Sequence, residues 1–224
     1  MAHGAAIAAF VLCLLVAISG WTNRALAIAG TGTVPAGHAE IELKSRYARN
    51  PTNESSRLAG IVSVGIAPGF QATVESRLLL VEPDGAAARG GFGDTFAELT
   101  CRLLNEGHML PAVAVVPAMR FPTGSPDRGL GATGYEPGVL VALSKRLGEI
   151  GITGNAGWSS VTAEDEDASD TWTVAGAAER RLTPRWTLFG ESVNTIGTRS
   201  ADTAVVRAGI SWQATPGSPR EVRM

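Results

Sequence analysis

Polar and apolar residues alternate with period two along most of the chain from residue 39 onward. In Gln71–Leu80, for example, the odd-numbered positions are polar up to residue 77, and the even-numbered positions are mostly apolar. This period is typical of a β-strand with one face in an apolar environment and one face in a polar environment. We count about ten such segments: 39–48, 57–67, 70–81, 93–104, 110–121, 137–147, 149–160, 171–182, 185–195 and 202–213.

The lengths of these segments favour strands that cross a membrane. About 9–11 residues are needed for a tilted strand to cross a bilayer, whereas strands of soluble proteins most often have about 5–6 residues. The connections alternate between tight turns and longer polar loops, as they do in outer-membrane barrels. The tight turns are Pro68-Gly69, Asn105–Met109, Gly148 and Thr183-Pro184, and the longer loops are Asn50–Ser56, Glu82–Gly91, Pro122–Glu136, Val161–Asp170 and Ile196–Ala201.

The sequence therefore predicts an all-β fold, an antiparallel up-and-down transmembrane β-barrel of about ten strands that spans residues 38–213. A soluble exported β-sandwich, in which the apolar faces meet each other, is the alternative. In a barrel the polar faces line the lumen, where charges of both signs can pair or can border a wetted channel. The candidates for lining the lumen are Glu75, Arg77, Asp94, Glu98, Arg102, Arg120, Glu191 and Arg207.

Tryptophans near the strand ends fit the membrane interface, because their rings are apolar and carry one polar group. Two basic residues, Lys145 and Arg180, instead fall on positions that face lipid, and both are close to strand ends, where a long side chain can reach water. The candidate interface aromatics are Trp158, Trp172, Trp186 and Trp212.

Residues 1–27 have the features of a signal peptide. An uncharged apolar stretch within residues 4–23 is followed by the small-x-small site Ala25-Leu26-Ala27. A single membrane anchor is the alternative, since about 20 residues can span a bilayer. We therefore expect export and a location in the bacterial outer membrane, with residues 28–37 forming a flexible segment before the barrel.

Composition excludes several classes of function. The 224 residues include 27 Gly, are 18% charged and have a net charge of −2, which argues against a nucleic-acid partner. Cleavage after Ala27 would leave Cys101 without a disulfide partner. His38 and His108 are the histidines that remain, and neither is near a nucleophile motif. The acidic run Glu164–Asp167 lacks the spacing of a calcium loop, so we interpret it as a solvated loop. We expect no enzyme activity, metal or cofactor.

The middle of the chain carries a family resemblance. A GxGD motif, Gly91–Asp94, is followed by a Pro-flanked strand that ends in Pro122-Thr123-Gly124, by the GxG loop Gly129–Gly131 and by the turn Arg181–Pro184. In this order the motifs resemble a family of outer-membrane transporter barrels associated with the meta pathway of phenol degradation. The resemblance implies a monomeric barrel in outer-membrane lipid that admits hydrophobic or aromatic solutes. It also makes Asp94 and Glu191 the matching acidic positions, which we interpret as structural charges of the barrel interior.

The C-terminus departs from that pattern. Residues 214–224 predict an irregular tail instead of a strand that ends in an aromatic residue, and relatives would continue to about twelve strands. We expect that the chain either is truncated or closes with ten. The sequence thus leaves two barrel functions open, passive diffusion of small solutes through the lumen and a structural role for a barrel whose interior is plugged by its own charges.

Overall fold

The computed structural model describes residues 29–50, 53–83, 87–163, 166–198 and 202–212. The predicted signal peptide, the C-terminal tail and two residues of the acidic run, Glu164 and Asp165, lie outside these ranges.

Within the described ranges the fold is all-β, and the strands form one antiparallel sheet in which each long strand pairs with the next one along the chain. This up-and-down order is the one that the sequence predicts. No helix in the described ranges has the length and the apolar character needed to cross a bilayer. The strands are β1 Ala39–Asn50, β2 Asn53–Ala67, β3 Phe70–Pro83, β4 Arg89–Phe92, β5 Thr95–Leu104, β6 Ala112–Phe121, β7 Glu136–Leu147, β8 Ile150–Ala163, β9 Glu166–Arg181, β10 Trp186–Gly197 and β11 Thr203–Trp212.

Three of the four predicted tight turns are confirmed, and glycine makes two of them possible. The connection predicted at Asn105–Met109 is longer and comprises residues 105–111. Gly69 between β2 and β3 has a φ of 81°, and Gly148 between β7 and β8 has a φ of 62°. Only glycine adopts this left-handed conformation without a steric cost. These turns lie at one end of the strands, which we call the short-turn end. The opposite end of the strands is the long-loop end.

At the long-loop end the strands run further than the sequence predicts. The predicted loop Val161–Asp170 is largely paired backbone, since Ser160 lies opposite Asp170 and Ala163 opposite Glu166. The predicted loop Asn50–Ser56 is likewise shortened, because β2 begins at Asn53. These two loop predictions were wrong because the alternation of side chains ends where both faces become polar, and the predicted strands end there too. Backbone hydrogen bonds extend the hairpin beyond that point regardless of its side chains.

A β-bulge joins β4 and β5 into one interrupted partner of β3. Leu78 pairs with Phe92 and Glu75 pairs with Phe96. Two residues of β3 therefore oppose three residues of the other strand, and the extra residue shifts the alternation. As a result Phe92 is exposed on one face and Phe96 is buried on the other. The bulge also turns Asp94 to the same face as Phe96.

Burial in this sheet is the reverse of that in a soluble protein. The apolar face, which carries the large aliphatic side chains, is the exposed one: Ile41 is 78% exposed and Val206 is 79% exposed. The polar face, which carries the charged side chains, contains fully buried residues. The pairing runs from β1 to β11, and among the described residues no backbone pairing joins these two edge strands.

Candidate functional site on the polar face

The register brings the eight predicted lumen residues to the same face of the sheet. Glu75 and Arg77 are on β3, Glu98 and Arg102 follow on β5, and Asp94 lies in the bulge before β5. The remaining three are Arg120 at the end of β6, Glu191 on β10 and Arg207 on β11. Pairing divides most of them into three separate clusters along the face.

The first cluster is a buried ion network at the long-loop end. Arg120 donates through Nε to Glu136 Oε2 and through Nη1 to Asp94 Oδ2, both at 2.9 Å, and each of the three side chains is 8% exposed. Ser159 Oγ donates to the second oxygen of Glu136 at 2.8 Å. The network crosses from the bulge to β8. Asp94 is thus part of a structural charge pair, as we interpreted it from the sequence.

The same network holds the β6–β7 loop (residues 122–135) against the sheet. The backbone N–H groups of Gly124 and Ala132 donate to Asp94 at 3.1 and 3.0 Å. Leu130, within the loop, is 2% exposed. A carboxylate that accepts hydrogen bonds from several donors is held firmly in one position. Asp94 is therefore the residue that fixes the loop over the polar face.

We expect Gly131→Ala to release this loop. A Cβ at residue 131 would stand 2.6 Å from Asp94 Oδ1 and 2.7 Å from Gly124 Cα, so either the carboxylate or the loop backbone must move. The loop should then be cleaved faster by protease added to the folded protein. Gly107→Ala is the matched control, because a Cβ there meets no atom within 4 Å. Equal cleavage rates for the two variants would contradict the packing described here.

The second cluster lies on β3 and β5. The Arg77 side chain donates to Glu75 on the same strand, and its guanidinium lies 3.7 Å from the centroid of the Phe96 ring. A cation over an aromatic face is held by the ring quadrupole as well as by its ion pair. Glu98 is diagonal to Glu75 in the register, because Glu75 lies opposite Phe96 and the side chains of one face alternate.

The third cluster is the cross-strand pair of Glu191 and Arg207. The two residues are directly opposite each other on β10 and β11, and Arg207 Nη1 donates to Glu191 Oε1. Opposite charges at a directly paired position stabilise the register of two strands.

The remaining lumen candidate, Arg102, is half-buried near the short-turn end of β5.

Between the ion clusters, the polar face carries a transverse row of small apolar side chains. Ala114, Ala142, Asn155, Ala175 and Val193 are successive cross-strand partners from β6 to β10. All five are at most 5% exposed, and Asn155 is the polar member of the row. The sequence does not predict this row, because its five members come from five strands and only the register aligns them.

The N-terminal segment (residues 29–37) lies across this face. Ala29 N donates to Asn155 Oδ1 at 3.2 Å, and Asn155 Nδ2 donates to Ala29 O at 2.9 Å. Further along, Val34 N donates to Gln71 Oε1 at 2.7 Å, and Gly37 N donates to Gly65 O at 2.9 Å. The sequence predicts a flexible segment here, and in the structure its backbone N–H and C=O groups bond to the side-chain amides of Asn155 and Gln71. No local pattern in the sequence indicates these contacts.

The candidate interface aromatics form two pairs at opposite ends of the strands. Trp158 lies opposite Trp172 toward the long-loop end, and Trp186 lies opposite Trp212 toward the short-turn end. Trp172 and Trp186 are exposed on the apolar face, and the side chain of Trp212 is outside the described part of the structure.

The two basic residues that interrupt the apolar face have partners at the short-turn end. Lys145 Nζ donates to the carbonyls of Gly107 and His108 and pairs with Glu106 at 3.3 Å, and so it ties β7 to the β5–β6 turn. A hydrogen bond from the backbone N–H of Arg146, aided by Lys145, lowers the pKa of the Glu106 carboxyl. Arg180 pairs with Glu149 at 3.1 Å.

No group of three or more His, Cys, Asp or Glu residues within the described ranges is placed to hold a metal ion. Three residues that complete the polar face, namely Glu136, Ser159 and Asn155, are not among the lumen candidates that the sequence provides. A signal existed for Glu136, because it ends the loop that begins at Pro122 and therefore returns to the same edge as Arg120.

The comparison with known families agrees with the motifs. The chain matches no individually curated protein. A family model described as "Putative MetA-pathway of phenol degradation" matches residues 22–219, which include the bulge, the β6–β7 loop and every strand described above. The family that the motif order predicts is therefore confirmed, and the chain belongs to this phenol-degradation family.

Proposed function

We propose that the protein is an outer-membrane β-barrel that admits small, apolar or aromatic solutes by passive diffusion. The observation that carries this proposal is the reversed burial of the sheet. A soluble sheet that exposed this many aliphatic side chains on one continuous face would aggregate, whereas a barrel in lipid requires such a face.

The spacing of the aromatic pairs supports a membrane of ordinary thickness. Trp172 lies opposite Ile196 on β10, and Trp186 begins that strand. The ten residue-to-residue steps from 186 to 196 span roughly 33 Å at ~3.3 Å per residue. A tilt of about 40° reduces this to ~25 Å along the bilayer normal, which is the usual height of the apolar band between aromatic girdles.

The solute class is supported by the family name and by the apolar row. The family is named for phenol degradation, and the row from Ala114 to Val193 gives the polar face a stretch without charge. An apolar solute on this stretch does not displace water from charged side chains. Removing that water would cost free energy. On this proposal the ion clusters keep the strands in register, and the row between them gives the lumen one uncharged level that a solute passes.

A structural barrel with a closed interior is the second candidate. It is favoured by the pairing of Asp94 with Arg120 and of Glu191 with Arg207, and by the two segments, residues 29–37 and 122–135, that fold over the polar face. Barrels of about eight strands leave almost no interior space, so a barrel near this size can be filled by its own chain.

Uptake by intact cells separates the two candidates. Cells that express the protein should take up the apolar dye N-phenyl-1-naphthylamine several-fold faster than cells with an empty vector, because the outer leaflet otherwise excludes this dye. The amount of folded barrel is measured in parallel by its heat-dependent gel mobility. Uptake at the empty-vector rate, together with no conductance in planar bilayers at equal folded protein, would favour the structural role.

A further inference from the structure

The contact between Ala29 and Asn155 lacks charged groups. It consists of two neutral hydrogen bonds at 3.2 and 2.9 Å, and the next one along, from Thr31 N to Ser144 Oγ, is 3.4 Å long. Neutral hydrogen bonds contribute only about 0.5–1.5 kcal/mol each. By contrast, the ion clusters on either side hold the strands with charged groups.

The other end of the N-terminal segment is anchored. Gly37 N donates to Gly65 O, and Gly65 N donates to His38 O, so the pairing of β1 with β2 continues into the segment. A side chain at Gly65 would overlap the carbonyl oxygens of Val34 and Pro35, which pass directly over it. Residues 29–33 can therefore leave the face while residues 34–38 stay in place.

The surface beneath Ala29 is apolar and contains one amide. Ala29 packs against the buried cluster of Ala114, Val116, Leu140 and Ala142. At its edge, Asn155 uses its oxygen as an acceptor and its NH₂ as a donor toward the backbone of Ala29. One row nearer the long-loop end, the hydroxyl of Thr195 is buried without a hydrogen-bond partner among the described residues.

We infer that Asn155 and this apolar cluster form a binding site for a small hydroxylated aromatic molecule, and that Ala29 occupies the site in its absence. A phenolic hydroxyl can donate to Asn155 Oδ1 and accept from Nδ2, as the N–H and C=O of Ala29 do. The ring then covers the alanine and leucine side chains from which Ala29 is displaced. The inference rests on the proposed function and names its solute class.

Spin labels at two open positions test the displacement. In the full chain with Cys13→Ala and Cys101→Ala, nitroxides are attached at Gly30→Cys and Gly107→Cys. A Cβ at residue 30 meets only Gly32 N at 3.9 Å, and one at residue 107 meets nothing within 4 Å, so the labels fit without disturbing the packing. The distance between them is measured by pulsed electron spin resonance in detergent micelles.

Phenol should convert a narrow distance distribution into a broad one, and glycerol, which has hydroxyls but no apolar ring, should leave it unchanged. Asn155→Leu should broaden the distance distribution in the absence of ligand. It should also raise about ten-fold the phenol concentration that produces half of the change in the distribution. The matched control is Asn194→Leu, on the exposed face of β10. A distribution that phenol does not alter, or that glycerol alters equally, overturns the inference.

This readout is independent of transport. If cells take up the dye but phenol leaves the distance unchanged, the binding site is wrong and the proposed function stands. If phenol shifts the distance and no uptake or conductance is found, the site stands and the diffusion function is wrong.

Discussion

Arg120→Met should lower the free energy of unfolding by about 3–5 kcal/mol, because it leaves two buried carboxylates without their cation. Asp94 and Glu136 both accept hydrogen bonds from this guanidinium, and both are 8% exposed. Their remaining partners are backbone N–H groups and the hydroxyl of Ser159, which are neutral. The β6–β7 loop should become sensitive to protease in the same variant, since Asp94 also holds that loop.

The measurement is a urea titration of the refolded protein in detergent micelles, followed by heat-dependent gel mobility. Arg185→Met is the control, because Arg185 is exposed in the β9–β10 turn and its loss should change stability by at most about 0.5 kcal/mol. The free energy of unfolding of Arg120→Lys should lie between those of the two Met variants. Lysine keeps the charge but cannot donate to both carboxylates with the geometry of a guanidinium. Arg120→Met and Arg185→Met unfolding at the same urea concentration would show that the network does not stabilise the fold.

Leu143→Arg should destabilise the barrel in a bilayer by about 2–4 kcal/mol, because it places a charge on the lipid face near the midplane. Leu143 is 44% exposed on β7 and pairs with Gly154 on β8. Gly154 lies about halfway between the levels of the two tryptophan pairs. Neither position contacts the ion clusters, so the expected loss comes from the lipid alone.

Leu182→Arg is the matched control for this substitution. Leu182 is 51% exposed, slightly more than Leu143, but it lies just beyond β9 in the turn at the short-turn end. In water both changes would be nearly neutral, within about 0.5 kcal/mol, as surface substitutions usually are. In a bilayer only Leu143→Arg should reduce folding into lipid vesicles. Equal behaviour of the two variants would contradict a lipid-facing apolar face.

The faces of the strands could be predicted from the sequence, because lipid on one side and polar groups on the other impose an alternation at every residue. Asp94, Glu98 and Arg102 fall on one face for this reason. The shift in alternation at the bulge before β5 is marked by Gly91 and Gly93. Glycine in a strand commonly marks such an irregularity.

The contacts between distant segments could not be predicted in the same way. Ala29 and Asn155 are separated by 126 positions in the sequence, and no local pattern encodes their contact. For Arg120 the sequence indicates only that Glu136 returns to the same end of the strands, because the register of β6 with β7 must be known before Glu136 can be placed directly opposite it. Strand ends were missed where the side chains turn polar on both faces but the backbone pairing continues.

Fractionation of cells that express the full chain tests the central claim most directly. The apolar face predicts that the protein sediments with the outer membrane, stays there through washes with high salt and alkaline carbonate, and is released only by detergent in a form whose gel mobility changes on heating. Recovery of the folded protein in the fluid released by osmotic shock, without detergent, would contradict the account.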